Sequence, residues 1–313
     1  MAVSLPFSPI SHWLSVPPSR RSYGYDEPPA KTRFSPASSL PPCVLGASFA
    51  TVSAAGWRVR HHLIFTTAAG VAMDPVLQDV GATAAILGGA YSLVFAFKNL
   101  TKRDLIPQSL SRKLVHILSG LLFALSWPIF SASTEARYFA ALVPLVNCLR
   151  LLVNGLSVSP DASLIQSVTR EGKAEELLKG PLYYVIVLII TVLMFWRDSP
   201  IGMITLAMMC GGDGIADIMG RRFGSQKIPY NPRKSWVGSV SMFIVGFTIS
   251  TGVLYYYSKL GYLNLNWDTA LQRVALVSLV ATIVESLPIT DRLDDNLSVP
   301  MASIVAAYVS FGY

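Results

Sequence analysis

Charge is scarce in this chain. Lysine, arginine, aspartate and glutamate supply only 14% of its 313 residues, against 52% hydrophobic ones, and mean hydropathy is +0.49. A soluble globular domain carries about 25% charge, so an ordinary soluble domain is excluded and a polytopic membrane protein is indicated. Cysteine is nearly absent: Cys43 lies in the N-terminal region and Cys148 and Cys210 in apolar segments, which implies neither a disulfide framework nor a zinc site. A nucleic-acid partner is not indicated despite the net charge of +7, because much of that excess sits in the first 60 residues and the rest in short loops between apolar runs. No protein partner is implied.

Acid is also missing from the N-terminus. Residues 1–60 hold Arg20, Arg21, Lys31, Arg33, Arg58 and Arg60 against only Asp26 and Glu27, in a serine- and proline-rich background. No apolar h-region follows a charged start, which argues against a secretory signal. The composition predicts a disordered organellar transit peptide, chloroplast before mitochondrion, over residues 1–60, with a linker at 61–75. Residues 76–313 then form one transmembrane domain.

Long apolar runs are plentiful. A span needs about 20 residues, and eight segments qualify as candidates: Val76–Phe97, Leu114–Phe130, Ala136–Val153, Leu182–Trp196, Ile201–Met219, Trp236–Tyr257, Ala270–Leu287 and Ser298–Tyr313. The predicted fold is an all-α bundle of about seven or eight transmembrane helices. Alternate connections differ in character. Those at 98–113, 154–181, 220–235 and 288–297 are long or charged; those at 131–135, 197–200 and 258–269 are short and charge-poor. Basic residues concentrate on the first set, which assigns those loops to one face of the membrane, the stroma in a plastid. Every polar cluster lies in or beside that set, so one composite site is expected.

Four clusters could carry chemistry. Arg112, Lys113 and His116 enter the second span; they could grip a phosphate or hydroxyl, or form a basic flank with an interhelical histidine. The stretch Arg170–Pro181 reads as a solvated interfacial helix with a Glu175–Lys179 pair, stopped by Gly180-Pro181. The third cluster is the densest. Asp213 and Asp217, four residues apart on one helix face, end a membrane-length apolar run. A carboxylate at membrane depth costs roughly 2.5–3.5 kcal/mol, which makes it a functional candidate. Both could hold Mg²⁺, or pair with Arg221 and Arg222. Gly212, Gly214, Gly220 and Gly224 would let phosphates approach the backbone, or let helices pack closely. Lys234, Ser235, Gly238 and Ser239 open the next helix, with Ser235 a candidate N-cap that aims free N–H groups at an anion. No Walker A order is present. Glu285, with Asp295 and Asn296, forms the fourth cluster and could bind metal or orient a hydroxyl, whereas Asp291 and Asp294 read as a polar turn.

In order, these residues spell R-K-x-x-H, G-G-D-G-x-A-D-x-x-G-R-R-x-G, R-K-S-x-x-G-S, E-S-x-P and D-D-N. That series resembles the polyprenol kinases, membrane enzymes acting on phytol, farnesol or dolichol, with a more distant likeness to CDP-diacylglycerol synthases. With the plastid-like leader, the resemblance points to the chloroplast branch that uses phytol. It implies CTP as phosphoryl donor, Mg²⁺ as cofactor, phytyl phosphate as product and a role in tocopherol synthesis from salvaged phytol. It also implies catalytic or metal roles for Asp213 and Asp217, a carboxylate (Glu285 or Asp295) or His116 as proton acceptor, and phosphate contacts from the cationic and glycine positions. The alternatives are a farnesol or geranylgeraniol kinase, a cytidylyltransferase, and a transporter with intramembrane carboxylates. The transporter lacks support because the Gly-Gly-Asp-Gly stretch has no second copy.

Overall fold

Most of the helices begin where the sequence offers a cap or a proline. In the computed structural model, which describes residues 74–158, 161, 164–165, 168–169, 172–288 and 293–312, Asp74 accepts from Val76 N at 2.8 Å and starts α1 (Pro75–Lys102). Pro107 precedes α2 (Gln108–Ser126), and α3 is Ala136–Gly155. A 3₁₀ turn at Ala174–Leu178 leads into α4 (Gly180–Met194). Ser199 caps α5 (Pro200–Phe223), Ser235 caps α6 (Trp236–Lys259), Asn266 caps α7 (Trp267–Ser286) and Asp294 caps α8 (Asp295–Phe311). Side-chain caps of this kind satisfy N–H groups that the first helical turn leaves orphaned.

The all-α bundle is as expected, with eight helices among the described residues. Six of them (α1, α3, α4 with its 3₁₀ turn, α5, α6 and α7) are long and apolar enough to cross a membrane. Two of the eight candidate spans need adjustment in character, not in number. α2 begins with Ser111, Arg112, Lys113 and His116, so much of its N-terminal half is polar. α8 has 17 residues, roughly 26 Å of helix against a hydrocarbon core of about 30 Å. A second correction concerns Gly180-Pro181. This pair opens α4 rather than stopping a helix, because proline at the first turn loses no hydrogen bond. A third is a small antiparallel hairpin, β1 (Lys227–Ile228) with β2 (Asn231–Ser235), in a segment expected to be loop. The leader, the linker up to 73, Arg170, Glu171 and Asp291 lie outside the described residues.

α5 is the axis of the bundle: 83% of its apolar window is buried, against 11% for α1. It packs on α2, α4, α6 and α8. Its middle, Ala207–Asp213, is a π-helical stretch between α-helical ends. Gly211 and Gly212 lie in that stretch, and Gly212 faces Met208, Met242 and Gly246, so α5 and α6 approach closely there. The end of the bundle opposite the polar clusters is pinned by two buried ionic side chains. Asp79 accepts from Ser131 N at 2.6 Å and Ser131 Oγ at 2.8 Å. Arg197 donates to the carbonyls of Phe130 (3.1 Å) and Ser131 (2.6 Å) and lies over the rings of Trp196 and Tyr262.

Candidate active site

Because the helices run up and down, the start of α2, the end of α5, the start of α6, the end of α7 and the start of α8 all meet at one end of the bundle. A cavity of about 740 Å³ opens there. Lys113, Arg221, Arg222, Lys227, Arg233 and Lys234 line it, and so do the carboxylates Asp213, Asp217, Glu285 and Asp295.

Two ion-pair systems divide this charge. In the first, Lys113 Nζ lies 3.4 Å from Asp213 Oδ2 and 3.7 Å from Asp217 Oδ2. Asp217 also accepts from Arg221 Nε at 2.8 Å across one turn of α5. In the second, Lys234 Nζ donates to Glu285 Oε1 at 2.5 Å and to Asp295 Oδ2 at 2.9 Å. Ser239 Oγ stands 3.5 Å from the other oxygen of Glu285. Burial disfavours the Lys234 ammonium, but the charges of Glu285, Asp295 and Asp213 outweigh it and hold its pKa above that of an ordinary lysine. Asp295 lies ahead of the apolar part of α8. Burial, followed by the nearby charge of Asp213, pushes its pKa up to about 6 against the opposing pull of Lys234.

Ser235 is the helix cap the sequence suggested, its Oγ accepting from Gly238 N at 3.2 Å. The hairpin that delivers Lys234 is tied to the end of α7. Asn231 Nδ2 donates to the Ser286 carbonyl at 3.1 Å, and the Tyr230 hydroxyl lies 2.9 Å from Ser286 Oγ. Lys234 is thereby fixed beside Glu285, one residue before Ser286.

Of the remaining expected site residues, Arg222, Gly220, Gly224, Gly238 and Ser239 line the cavity. Gly220 and Gly238 also mark a close approach of α5 and α6, where a Cβ on Gly238 would stand 3.0 Å from the Ala216 carbonyl and 3.4 Å from Gly220 Cα. Gly212 and Gly214 fall outside the lining. Gly212 packs on α6 and Gly214 on Ile117 of α2. Arg112 and Asn296 are not brought to the cavity wall, and the Asn296 amide donates to Asp294 Oδ1 at 2.9 Å. His116 turns inward instead. Its Nε2 is 3.4 Å from the Met209 carbonyl in the π-helical stretch, and its ring lies 4.1 Å from that of Tyr184. Lys227 and Arg233 are cavity residues that sequence reasoning passed over; the basic character of the 220–235 loop was the available signal.

The donor set suits a hard divalent cation. Ligand oxygens of Asp213, Glu285 and Asp295 all lie within 4.8 Å of one another, two of these residues are buried, and Asp295 Oδ1 is a buried oxygen with no hydrogen-bond partner. Oxygen-only coordination by carboxylates is what Mg²⁺ takes. Asp213 and Asp217 share Lys113; Asp213 also joins the three-carboxylate group, and Asp217 also pairs with Arg221.

Sequence comparison identifies relatives. The chain is 64% identical over 314 residues to phytol kinase 1, chloroplastic, of Arabidopsis thaliana, covering 100% of both chains. The chain belongs to the phytol kinase family. Probable phytol kinase 1, chloroplastic, of Glycine max is 63% identical over 77% of this chain and 80% of its own length. A probable chloroplastic phytol kinase of Triticum aestivum is 58% identical over 83% and 87%. No family model and no solved structure matches the chain. Within the phytol kinase family, a cavity rich in both cations and carboxylates at the mouth of a membrane bundle has an evident use.

Proposed function

We propose that this protein transfers the γ-phosphate of CTP to phytol, giving phytyl phosphate and CDP, with Mg²⁺ as cofactor. The observation that carries this reading is the meeting of six cationic side chains and four carboxylates in one cavity at the membrane end of an apolar bundle. A triphosphate needs the cations, a divalent metal needs the carboxylates, and an isoprenoid alcohol needs the bilayer beside them.

Asp213, Glu285 and Asp295 are the residues that would hold Mg²⁺. When bound, the metal supplies charge neutralisation on the nucleotide phosphates. Lys113 and Arg221, steered by Asp217, face the same phosphates, joined by Arg222, Lys227 and Arg233. The N–H groups at the start of α6, behind the Ser235 cap, add a fixed partial positive charge. Phosphoryl transfer is mainly positioning and electrostatics, and such groups are preorganised for it. In the transfer, the phytol oxygen forms a bond to the γ-phosphorus as the bond to the β-phosphate oxygen breaks. The hydroxyl proton passes to a cavity carboxylate that the metal leaves free. The tail of the alcohol stays in the lipid.

The leader 1–60 acts as a chloroplast transit peptide in this reading, the cavity faces the stroma, and the product serves tocopherol synthesis. The test is a transfer assay on the purified protein in detergent with Mg²⁺, γ-labelled CTP or ATP, and phytol, farnesol or geranylgeraniol in parallel. Labelled phytol from CTP is expected. Label only from ATP overturns the donor, equal or better label on another alcohol overturns the phytol assignment, and release of pyrophosphate in place of CDP indicates cytidylyl transfer.

A further inference from the structure

Lys234 pairs with two of the three carboxylates that could share a cation. Its ammonium donates to Glu285 at 2.5 Å and to Asp295 at 2.9 Å, and the ligand oxygens of those residues lie within 4.8 Å of that of Asp213. The ammonium already neutralises two of the three carboxylates and repels a divalent ion brought among them. The lysine side chain is a point charge on a flexible four-carbon stem with three donors, so it can move without breaking the fold. It also lies in the same cavity as the cations that face the phosphates.

We propose that Lys234 is a resident counter-ion of the metal site, which Mg²⁺ displaces onto the phosphates of the arriving nucleotide. The proposal rests on the reading of this cavity as a Mg²⁺–nucleotide site. In the nucleotide-free protein the lysine neutralises Glu285 and Asp295 and closes the site to bare metal. When metal and nucleotide arrive together, the metal takes the carboxylates and the ammonium takes phosphate oxygens. Neither charge is left buried and unpaired. Metal and nucleotide binding become positively coupled, and by linkage each strengthens the other by the same factor.

The test is binding of Mn²⁺, as a spectroscopic substitute for Mg²⁺, to the purified full chain in detergent, followed by electron paramagnetic resonance with and without a non-hydrolysable CTP analogue. The wild-type protein should bind bare Mn²⁺ weakly and bind it about tenfold or more tightly with the analogue. Lys234→Met should bind bare Mn²⁺ about tenfold more tightly than wild type and lose most of the coupling. Lys234→Arg, which restores a cation, should keep the block, and serves if the methionine variant does not fold. Tight binding of bare Mn²⁺ by the wild type, or unchanged binding in a folded Lys234→Met protein and none gained from the analogue, overturns the exchange while leaving the metal site standing. No Mn²⁺ binding by any of the proteins, with or without analogue, removes the metal site itself and the exchange with it.

Discussion

Lys113 and Arg112 are neighbours in the chain, yet only Lys113 lines the cavity. Successive side chains on a helix point about 100° apart, so the phase of α2 decides which of two equivalent-looking cations faces Asp213 and Asp217. Sequence alone placed both at the site because it fixes their order but not that phase. Lys113→Met should lower transfer by about tenfold to a hundredfold, in line with the loss of one charged contact in the transition state, whereas Arg112→Met should have a much smaller effect; turnover of the two purified variants decides it. Asp295 gives a pH prediction. Its carboxyl is neutral below a pKa of about 6 and ionised above it. The affinity of the Lys234→Met protein for bare Mn²⁺ should therefore fall as pH drops, starting at a higher pH than in the wild type because the lysine that lowers the Asp295 pKa is gone, and protonation removes a ligand charge. An Asp295→Asn change in that background should flatten this profile. Asp213, Asp217, Glu285 and Lys234 were legible because a charged residue at the edge of an apolar run is costly and needs a reason. His116 drew attention on the same grounds. Its surroundings, the Met209 carbonyl and the Tyr184 ring, place it between helices instead.

Helix ends are where most of the site was readable, and helix contacts are where the reading went astray. The cap at Ser235 is where the sequence suggested one, and Ser199, Asn266 and Asp294 cap their helices by the same local chemistry. Glycines are ambiguous in a sequence, since the absent side chain serves a phosphate, a turn or a neighbouring helix equally well. Here Gly212 and Gly214 serve neighbouring helices, and Gly238 serves both a helix crossing and the cavity wall. A methyl group at Gly238 would press on the Ala216 carbonyl at 3.0 Å and Ser235 Oγ at 3.2 Å. Gly238→Ala should cost about 1–3 kcal/mol of stability as the α5–α6 contact is overpacked, seen as a lowered unfolding temperature in detergent. The π-helical stretch at Ala207–Asp213 has no signature in composition beyond its small residues. Such stretches concentrate at functional sites, and this one delivers Asp213 to the cavity while His116 faces its Met209 carbonyl.

For the whole molecule, the asymmetry of charge between alternate loops anticipated that the polar clusters would share one end, and that is where α2, α5, α6, α7 and α8 bring Lys113, Asp213, Lys234, Glu285 and Asp295 together. The shortness of α8 and the polar start of α2 are departures from a plain bundle of equal spans, and both elements contribute to the cavity. The opposite end was not foreseen. There Asp79 and Arg197 grip the same loop through hydrogen bonds from and to residues 130–131, an arrangement made by residues far apart in the chain and invisible to periodicity. Hydrogen bonds to charged groups are worth about 1.5–3 kcal/mol, so Asp79→Ala should lower thermal stability by about that amount while leaving the KM for nucleotide near wild type, the cavity being at the far end. The joint role of the convergent carboxylates is tested most directly by comparing wild-type and Asp213→Asn proteins side by side for transfer of γ-label from CTP to phytol, with unfolding temperature measured on the same samples. Rapid transfer by the wild type and a loss of several orders of magnitude in an equally stable Asp213→Asn protein is the expected result. Comparable transfer by both would mean that the reaction takes place elsewhere in the chain.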